Sequence, residues 1–322
     1  MTVSTNIRDL VSRYGIVIVL IALVVFFSIM SPAFLTADNI FNILRQVAIV
    51  GIVAVGMTMV LLTGGIDLSV GSIIGVAGVL AATLMLQGVH PVWASLITLA
   101  VSTLLGALNG FFINTLKIPA LITTLGTMTA LRGVAYLLSD GLPVFGFSDS
   151  FKVIGQGYLW IIPIPVIIMA VVFIAGYFLL EKTVYGRYIY GVGGNEEASR
   201  LSGISVQKVK YLVYTTCGAL SGLAGLVLLS RVNSGQPKAG QGYEMDIITA
   251  VVLGGVSIFG GEGKINFVII GVLIMGVLSN GMILLNINEY VQWVVKGLVL
   301  LLAVGFDRYM LSKKTAGAKA SV

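Results

Sequence analysis

The amino-acid sequence predicts an all-α polytopic membrane protein, and its composition and patterning carry this prediction. Of the 322 residues, 57% are hydrophobic and only 10% are charged, a balance unlike that of soluble domains with hydrated surfaces. The apolar residues form continuous runs, whereas strands of a membrane β-barrel alternate apolar and polar residues. The 40 glycines fit the close contacts and breaks of membrane helices.

The apolar runs predict about ten transmembrane helices in one domain, residues 16–306. A helix needs about 20 apolar residues to cross a hydrocarbon core of about 30 Å. The predicted spans are 16–31, 46–63, 69–87, 92–114, 121–138, 161–180, 211–229, 244–259, 267–285 and 291–306. Residues 1–15 and 307–322 are predicted cytoplasmic ends. No small-residue cleavage site follows the first run, so we expect it to remain as a span.

The distribution of basic residues predicts which side each loop faces, because cytoplasmic loops carry an excess of Lys and Arg. With both termini in the cytoplasm, thirteen basic residues fall inside and four outside. The inside set is Arg8, Arg13, Lys117, Lys182, Arg187, Arg200, Lys208, Lys210, Lys264, Arg308, Lys313, Lys314 and Lys319. The outside set is Arg45, Lys152, Arg231 and Lys238. This asymmetry predicts cytoplasmic termini and a cytoplasmic location for the charged loop 181–210.

Loop 181–210 is the longest segment that does not fit inside a membrane, and it predicts a short, capped helix. Asn195 is a favourable N-cap, and Glu196 and Glu197 follow it, where carboxylates interact well with the helix dipole. Gly203 is placed to end the helix in the left-handed conformation. We therefore predict a two-turn helix over 196–202. Such a helix suits contact with a soluble protein, although an ordinary surface helix between spans fits the composition too.

Two glycine-rich breaks interrupt the predicted spans, and each fits a tight turn or a re-entrant segment. The motif Gly64-Gly65-Ile66-Asp67 has an echo in Gly254-Gly255-Val256-Ser257, and Asn109-Gly110 has one in Asn280-Gly281. These echoes are consistent with two inverted halves of five spans each. In transporters built from such halves, Gly-interrupted helices mark the substrate pathway.

Ionisable residues at membrane depth are costly and therefore indicate function. Asp67 fits either an N-cap or a ligand for a hydroxylated solute, and Arg132 fits either the pathway or an ion pair with an acidic residue such as Asp67. For Lys296 we expect snorkelling or pairing with Glu289. The candidate pathway residues are Thr63, Gly64, Gly65, Asp67, Ser69, Asn109, Arg132, Ser257 and Asn280.

A second polar group lies at the outer start of the predicted eighth span. Glu244 and Asp246, beside Tyr243, fit helix capping or the docking of an external partner, and Lys238 precedes them in the same outer loop.

Several classes of chemistry are not expected. One histidine and one cysteine cannot form a clustered metal site or a Ser-His-Asp set. The P-loop-like stretch 258–265 has Ile258 for the first glycine and Ile265 for the Ser or Thr. The basic residues lie at the ends of apolar runs, which argues against a nucleic-acid-binding face. We expect no enzyme activity, cofactor or metal.

The charged loop resembles that of a known family. Glu197-Ala198-Ser199-Arg200-Leu201-Ser202-Gly203 is similar to the Glu-Ala-Ala-x-x-x-Gly loop of bacterial ABC importer permeases, with Ser199 at the second Ala. Further blocks resemble the ribose-type sugar permeases; they are 63–71, 186–190, 193–196, 200–204, 236–237, 242–244 and 251–255. The blocks are spread over nearly the whole chain.

The resemblance implies a ten-helix permease of the bacterial inner membrane. It implies three protein partners: a separate ABC ATPase, a periplasmic or lipid-anchored sugar-binding protein, and a second permease copy, identical or homologous. The ATPase-coupling residues would be Asn195, Glu196, Glu197, Ala198, Arg200, Leu201 and Gly203. The substrate would be a monosaccharide such as ribose. A self-sufficient secondary transporter is the alternative that the Gly-interrupted pattern leaves open.

Overall fold

The structure, a computed structural model, describes the backbone of residues 3–319 and the side chains of residues 15–308. Its helices are α1 Val3–Met30, α2 Ala37–Leu62, α3 Val70–Leu86, α4 Pro91–Asn114, α5 Ala120–Leu138, α6 Val153–Gln156, α7 Ile164–Lys182, α8 Val184–Gly194, α9 Glu196–Leu201, α10 Val206–Val232, α11 Tyr243–Leu253, α12 Ile265–Leu284 and α13 Glu289–Lys319. A 3-10 turn, Asp149–Lys152, and a hairpin of β1 Tyr158–Leu159 and β2 Ile162–Pro163 lie between α5 and α7. Residues 1–2 and 320–322 of the predicted terminal segments lie outside the described residues.

The all-α polytopic prediction is confirmed. Seven of the described helices are long and apolar enough to cross a membrane, and two shorter apolar helices, Gly15–Met30 and Val70–Leu86, accompany them. Most predicted spans match a helix within a few residues. Helix α1 begins earlier and α13 ends later than predicted. Helix α2 begins nine residues before the predicted 46 because Thr36 caps it, its Oγ1 accepting from the N–H of Asn39 at 3.4 Å.

The predicted eighth span, 244–259, is wrong. The helix there, α11, ends at Leu253 because Gly254 and Gly255 follow, and Gly255 takes a left-handed φ of 81°. Its 11 residues rise only about 16 Å, which is half the thickness of a hydrocarbon core. The loop 254–264 continues the path and reaches the end of α2, where the N–H of Gly261 donates to the carbonyl of Leu62 at 2.9 Å.

The centre of the bundle is formed by α2 and α10, while α13 lies at its edge. In the most apolar stretch of α2, 83% of the residues are buried within the chain, whereas none are buried in that of α13. Glycines allow the central helices to approach closely: Gly218 of α10 meets Gly106 of α4, and Cys217 lies against Gly56 of α2. The apolar faces of α4, α5, α7 and α13 remain largely exposed, as expected for helices in contact with lipid.

The two parts of the Gly-Gly echo lie close together in the structure. Gly64 and Gly255 both follow a helix end and both have positive φ. Gly260 and Gly261, in the loop after Gly255, contact the end of α2 and the Gly64 backbone. The inverted arrangement of two halves stays a prediction.

Candidate functional site

The short helix α9 forms as its sequence predicts. Asn195 has an extended backbone, and its Oδ1 accepts a hydrogen bond from the N–H of Ala198 at 2.8 Å. The helix spans Glu196–Leu201, one residue shorter than predicted. Gly203 has a φ of 83°, and its N–H donates to the carbonyl of Arg200 at 3.0 Å. Local capping therefore determines both ends of this helix.

A small ion-pair network holds α9 on the start of α10. Arg200 contacts Glu196 at 3.2 Å and Glu197 at 3.0 Å, and the Lys210 Nζ lies 2.7 Å from Glu196 Oε2. Ser199, which replaces the second Ala of the family loop, is buried beside Gly191. Most other predicted coupling residues are exposed; they are Asn195, Glu197, Ala198, Arg200, Leu201 and Gly203. The exposed fraction of Leu201 is 82%, so α9 presents both charge and an apolar tip.

Contacts connect the end of α8 to the ends of membrane helices. Gly193 lies against the Leu62 carbonyl and the Gly261 N–H, where a Cβ would overlap both. Tyr190 of α8 donates its hydroxyl hydrogen to the Gly263 carbonyl at 2.9 Å. Burial, with a smaller effect of nearby Glu181, raises the pKa of Tyr190 to about 12, so this donor keeps its proton at physiological pH. A displacement of α9 would therefore also displace the end of α2.

The break between α2 and α3, residues 63–69, lies directly beyond that contact. Thr63 ends α2, with its Oγ1 donating to the carbonyl of Val60 at 2.7 Å. Gly64 has a φ of 73°, and Gly65 leaves no room for a Cβ beside the Tyr214 hydroxyl. The Tyr214 hydroxyl also donates to the Ile66 carbonyl at 3.4 Å. The glycines thus serve the turn and a close approach by α10.

Three of the predicted pathway residues, Asp67, Ser69 and Asn109, meet in one buried cluster. Asp67 Oδ1 accepts from the Ser69 N–H at 3.0 Å and from Ser69 Oγ at 2.6 Å. Asn109 Nδ2 donates to Ser69 Oγ at 2.8 Å and approaches Asp67 Oδ1 at 3.5 Å. Ser69 directly precedes α3 but makes no side-chain capping bond. Asp67, two residues earlier, accepts a backbone N–H ahead of the helix, as its predicted capping role requires.

Two oxygen atoms of this cluster accept no hydrogen bond from a nitrogen or oxygen donor among the described residues. Asp67 Oδ2 and Asn109 Oδ1 are both buried without a partner among the described residues, and both side chains have an exposed fraction of 0%. A buried acceptor without a donor costs about 1–3 kcal/mol, more when it is charged. The site therefore favours a ligand or conformation that supplies donors.

A cavity of about 770 Å³ opens between the break, the α4–α5 loop and the coupling loop. Residues 63–65 line its inner end, and Glu196 and Arg200 line its mouth. Sequence reasoning missed its other polar residues, which are Asn114, Lys117, Ser205, Gln207, Lys210 and Tyr214. The sequence could have indicated the residues on α10, since Lys210, Tyr214 and Cys217 follow the i, i+4, i+7 spacing of one helix face. The Cys217 thiol lies beside Asp67.

Arg132 lies apart from this cluster and does not pair with Asp67; the acidic residue that interacts with it electrostatically is Glu244. Its Nη1 donates to the carbonyls of Pro237 at 3.0 Å and Ala239 at 2.9 Å. Both carbonyls belong to residues 233–242 between α10 and α11, which we name the outer strap. The strap lies along the glycines of α3, because Gly75 faces the Ala239 carbonyl and Gly71 faces that of Gly240.

The predicted docking residues are mostly buried. Glu244 and Asp246 each have an exposed fraction of 8%, Tyr243 is half-buried, and Lys238 is exposed. Asp246 Oδ2 lies 2.7 Å from Lys296 Nζ, so the expectation that Lys296 snorkels or pairs with Glu289 is wrong. Glu244 Oε1 accepts from the Gly242 N–H at 3.2 Å, while its Oε2 has no partner among the described residues.

The last two predicted pathway residues, Ser257 and Asn280, lie elsewhere. Ser257 Oγ donates to Asp307 Oδ2 at 3.1 Å in the loop after α11. The Asn280 and Asn39 amides exchange two hydrogen bonds of 2.8 and 3.0 Å, near the end of α12 and the start of α2. Both serve helix contacts and do not join the Asp67 cluster.

Comparison with known proteins places the chain in a transporter family. Residues 39–304 match the family model described as branched-chain amino acid transport system / permease component. The chain is 47% identical over 302 residues to the ribose import permease protein RbsC of Haemophilus influenzae, covering 92% of this chain and 93% of the relative. It is 47% identical to RbsC of Escherichia coli, covering 90% and 92%.

A further relative, the L-arabinose transport system permease protein AraH of Escherichia coli, is 42% identical over 303 residues, covering 94% of this chain and 92% of its own length. No solved structure matches the chain. The matched region includes both the break with Asp67 and the α8–α9 loop. The chain is a multi-pass inner-membrane protein and belongs to this family of permease components of ABC importers.

Proposed function

We propose that this chain forms the transmembrane pathway of an importer that moves ribose or a related pentose or hexose into the bacterial cytoplasm. Relatives named for ribose and L-arabinose import support the substrate class. The observation that carries the mechanism is the contact of Gly193 with Leu62 and Gly261, because it joins the exposed helix α9 to the break that contains Asp67.

The proposed driving partner is a separate ABC ATPase subunit that holds α9. The helix is capped at both ends and supported by ion pairs, so it would move as a rigid body. Its motion would be passed through Gly193 to the end of α2 and then to residues 63–69. The chain itself lacks a P-loop match, which supports assigning ATP hydrolysis to the partner.

The proposed substrate contacts are the oxygens that lack donors. Sugar hydroxyl groups donate hydrogen bonds, so they would satisfy Asp67 Oδ2 and Asn109 Oδ1 as the sugar passes. The cavity of about 770 Å³ reaches residues 63–65 at the start of the same break, and it is far larger than the 240 Å³ cavity under the outer strap. This difference supports assigning the conformation to a state open to the cytoplasm and closed outside.

The remaining proposed partners are a sugar-binding protein, a second permease copy and membrane lipid. A periplasmic or lipid-anchored sugar-binding protein would dock on the outer loops, where Lys238 is the most accessible of the four predicted docking residues. A second permease copy and membrane lipid would cover the exposed faces of the outer helices. The excess of basic residues in the predicted inner loops supports placing both termini in the cytoplasm.

Reconstitution into liposomes tests the function. We expect uptake of radiolabelled ribose only when the chain is combined with its ATPase, its sugar-binding protein and ATP. The matched control replaces ATP with a non-hydrolysable analogue. Uptake by the purified chain alone, driven by an ion gradient, would contradict the proposal and support the secondary-transporter alternative.

A further inference from the structure

The β1–β2 hairpin carries the most exposed apolar tip among the described residues. Its tip has exposed fractions of 91% at Trp160, 66% at Leu159 and 63% at Ile161. The sequence has no charged residue between Lys152 and Glu181, so nothing charged accompanies the tip into water. Exposing this much apolar area costs about 25 cal/mol per Å², which indicates that something covers it.

The base of the hairpin is firmly held, so the exposure of its tip is a stable feature of the fold. Tyr158 pairs with Pro163, and its ring lies under the Arg45 guanidinium at 4.6 Å. Gln156 accepts at its carbonyl from Arg45 Nη2 at 3.4 Å, and its amide donates to the carbonyl of Arg231 at 3.2 Å. The hairpin is thereby tied to the ends of α2 and α10.

The backbone of the tip is strained at Trp160, the first residue of the two-residue hairpin turn. Trp160 has a φ of 60°, a left-handed conformation that is an outlier for a bulky side chain. Such strain costs about 1–3 kcal/mol and persists where surrounding structure imposes it.

The position of the hairpin matches a membrane–water interface. It runs directly into α7, an apolar helix whose span is only 22% buried within the chain, so it stands at the lipid-facing edge. The chain has three tryptophans; Trp93 lies near the start of α4 and Trp293 near the start of α13, with exposed fractions of 63% and 54%. Successive membrane crossings alternate in direction, so α4, α7 and α13 begin on the same side of the membrane.

We propose that the 158–163 hairpin is an interfacial anchor that inserts Leu159, Trp160 and Ile161 into the headgroup–acyl boundary of the leaflet where α4, α7 and α13 begin. Tryptophan is enriched at this depth because its ring is amphipathic, and the uncharged, apolar tip favours lipid over a hydrated protein surface. The anchor holds the ends of α2 and α10 at a constant depth while other segments move. It does not depend on the substrate or on the ATPase.

Fluorescence of a single-tryptophan protein tests the anchor. The full chain with Trp93→Phe and Trp293→Phe keeps Trp160 as its only indole. In liposomes, we expect blue-shifted emission, about twofold quenching by phospholipid brominated near the headgroup, weaker quenching by deep bromines, and little quenching by acrylamide. Adding Leu159→Asn and Ile161→Asn should shift the emission to the red.

Two results would overturn the anchor. Emission at the wavelength of tryptophan in water, with strong acrylamide quenching and none by brominated lipid, would place the hairpin in solution. Protection from acrylamide that appears only when the sugar-binding protein is added would make the tip a protein-docking surface. Wild-type thermal stability of each variant in detergent confirms that the fold is retained.

Discussion

The backbone N–H of Gly261 donates a hydrogen bond to the Leu62 carbonyl at 2.9 Å, and Gly193 lies against both groups. The end of α2, the loop after α11 and the end of α8 therefore meet at one point. This junction connects the exposed helix α9, for which we propose a coupling role, to the turn that contains Asp67.

Gly193→Ala should damage coupling and leave assembly intact. The added methyl group would overlap the Leu62 carbonyl, and displacing packed backbone costs about 1–3 kcal/mol. We expect ATP-dependent ribose uptake to fall about tenfold while the ATPase still co-purifies. Gly194→Ala is the matched control, because no atom lies within 4 Å of its added Cβ. Equal uptake by the two variants would exclude the junction from coupling.

Gly203→Pro should uncouple transport from ATP hydrolysis. Proline requires a φ near −65°, whereas Gly203 has a φ of 83°, so the end of α9 must rearrange. We expect normal membrane insertion with ATPase activity that no longer drives uptake; Glu197→Lys should act in the same direction by breaking the pair with Arg200. Gly203→Asn is the control, because asparagine tolerates the left-handed region. Normal uptake by the proline variant would contradict the proposed coupling role of α9.

Asp67→Asn should impair transport without loss of assembly. Asparagine retains the Oδ1 acceptor for Ser69, so the turn is kept, but it replaces the partnerless Oδ2 with a donor. If sugar hydroxyls donate to that oxygen, we expect uptake to fall about tenfold, as for the loss of one hydrogen bond to a charged group. Assembly is checked by co-purification with the ATPase. Unchanged uptake would leave Asp67 with a turn-forming role alone.

Arg132→Gln should loosen the outer strap. The variant loses one or both hydrogen bonds to the Pro237 and Ala239 carbonyls. A Gln236→Cys reporter, in the cavity under the strap, should then react several-fold faster with a membrane-impermeant maleimide, because each bond to a charged donor contributes about 1.5–3 kcal/mol. Lys238→Gln is the control for the lost charge. The same labelling rate with Arg132 and with Arg132→Gln would contradict the role of Arg132 in holding the outer strap.

Cysteine labelling checks the predicted orientation. Cys217 is the only cysteine in the sequence and is buried, so it provides a silent background. Asp149→Cys, at a side chain 89% exposed, should react with an impermeant maleimide in spheroplasts. Glu197→Cys should react only after lysis. The reverse pattern would place the coupling loop outside the cell.

Predictions of short-range structure were mostly confirmed, whereas predictions of long-range contacts were mostly wrong. Asn195 and Gly203 were identified as the caps of α9 from their residue types, and both bonds occur. Gly254 and Gly255 end α11 before the predicted residue 259. The prediction overlooked them because apolar residues continue beyond them. The observed partners of Arg132 and Lys296 were not predicted. They lie 105 positions from Arg132 and 50 positions from Lys296 along the chain, and no local pattern encodes such a contact.

The sequence by itself determined the membrane class, most helix positions and the ends of α9, because hydrophobic length and capping act within a few residues. Only the tertiary structure decided that Asp67, Ser69 and Asn109 form one cluster, that Arg132 holds the outer strap, and that Gly193 touches Leu62. These contacts arise when glycines let distant backbones approach closely. Which helix approaches which is set by the packing of the whole bundle.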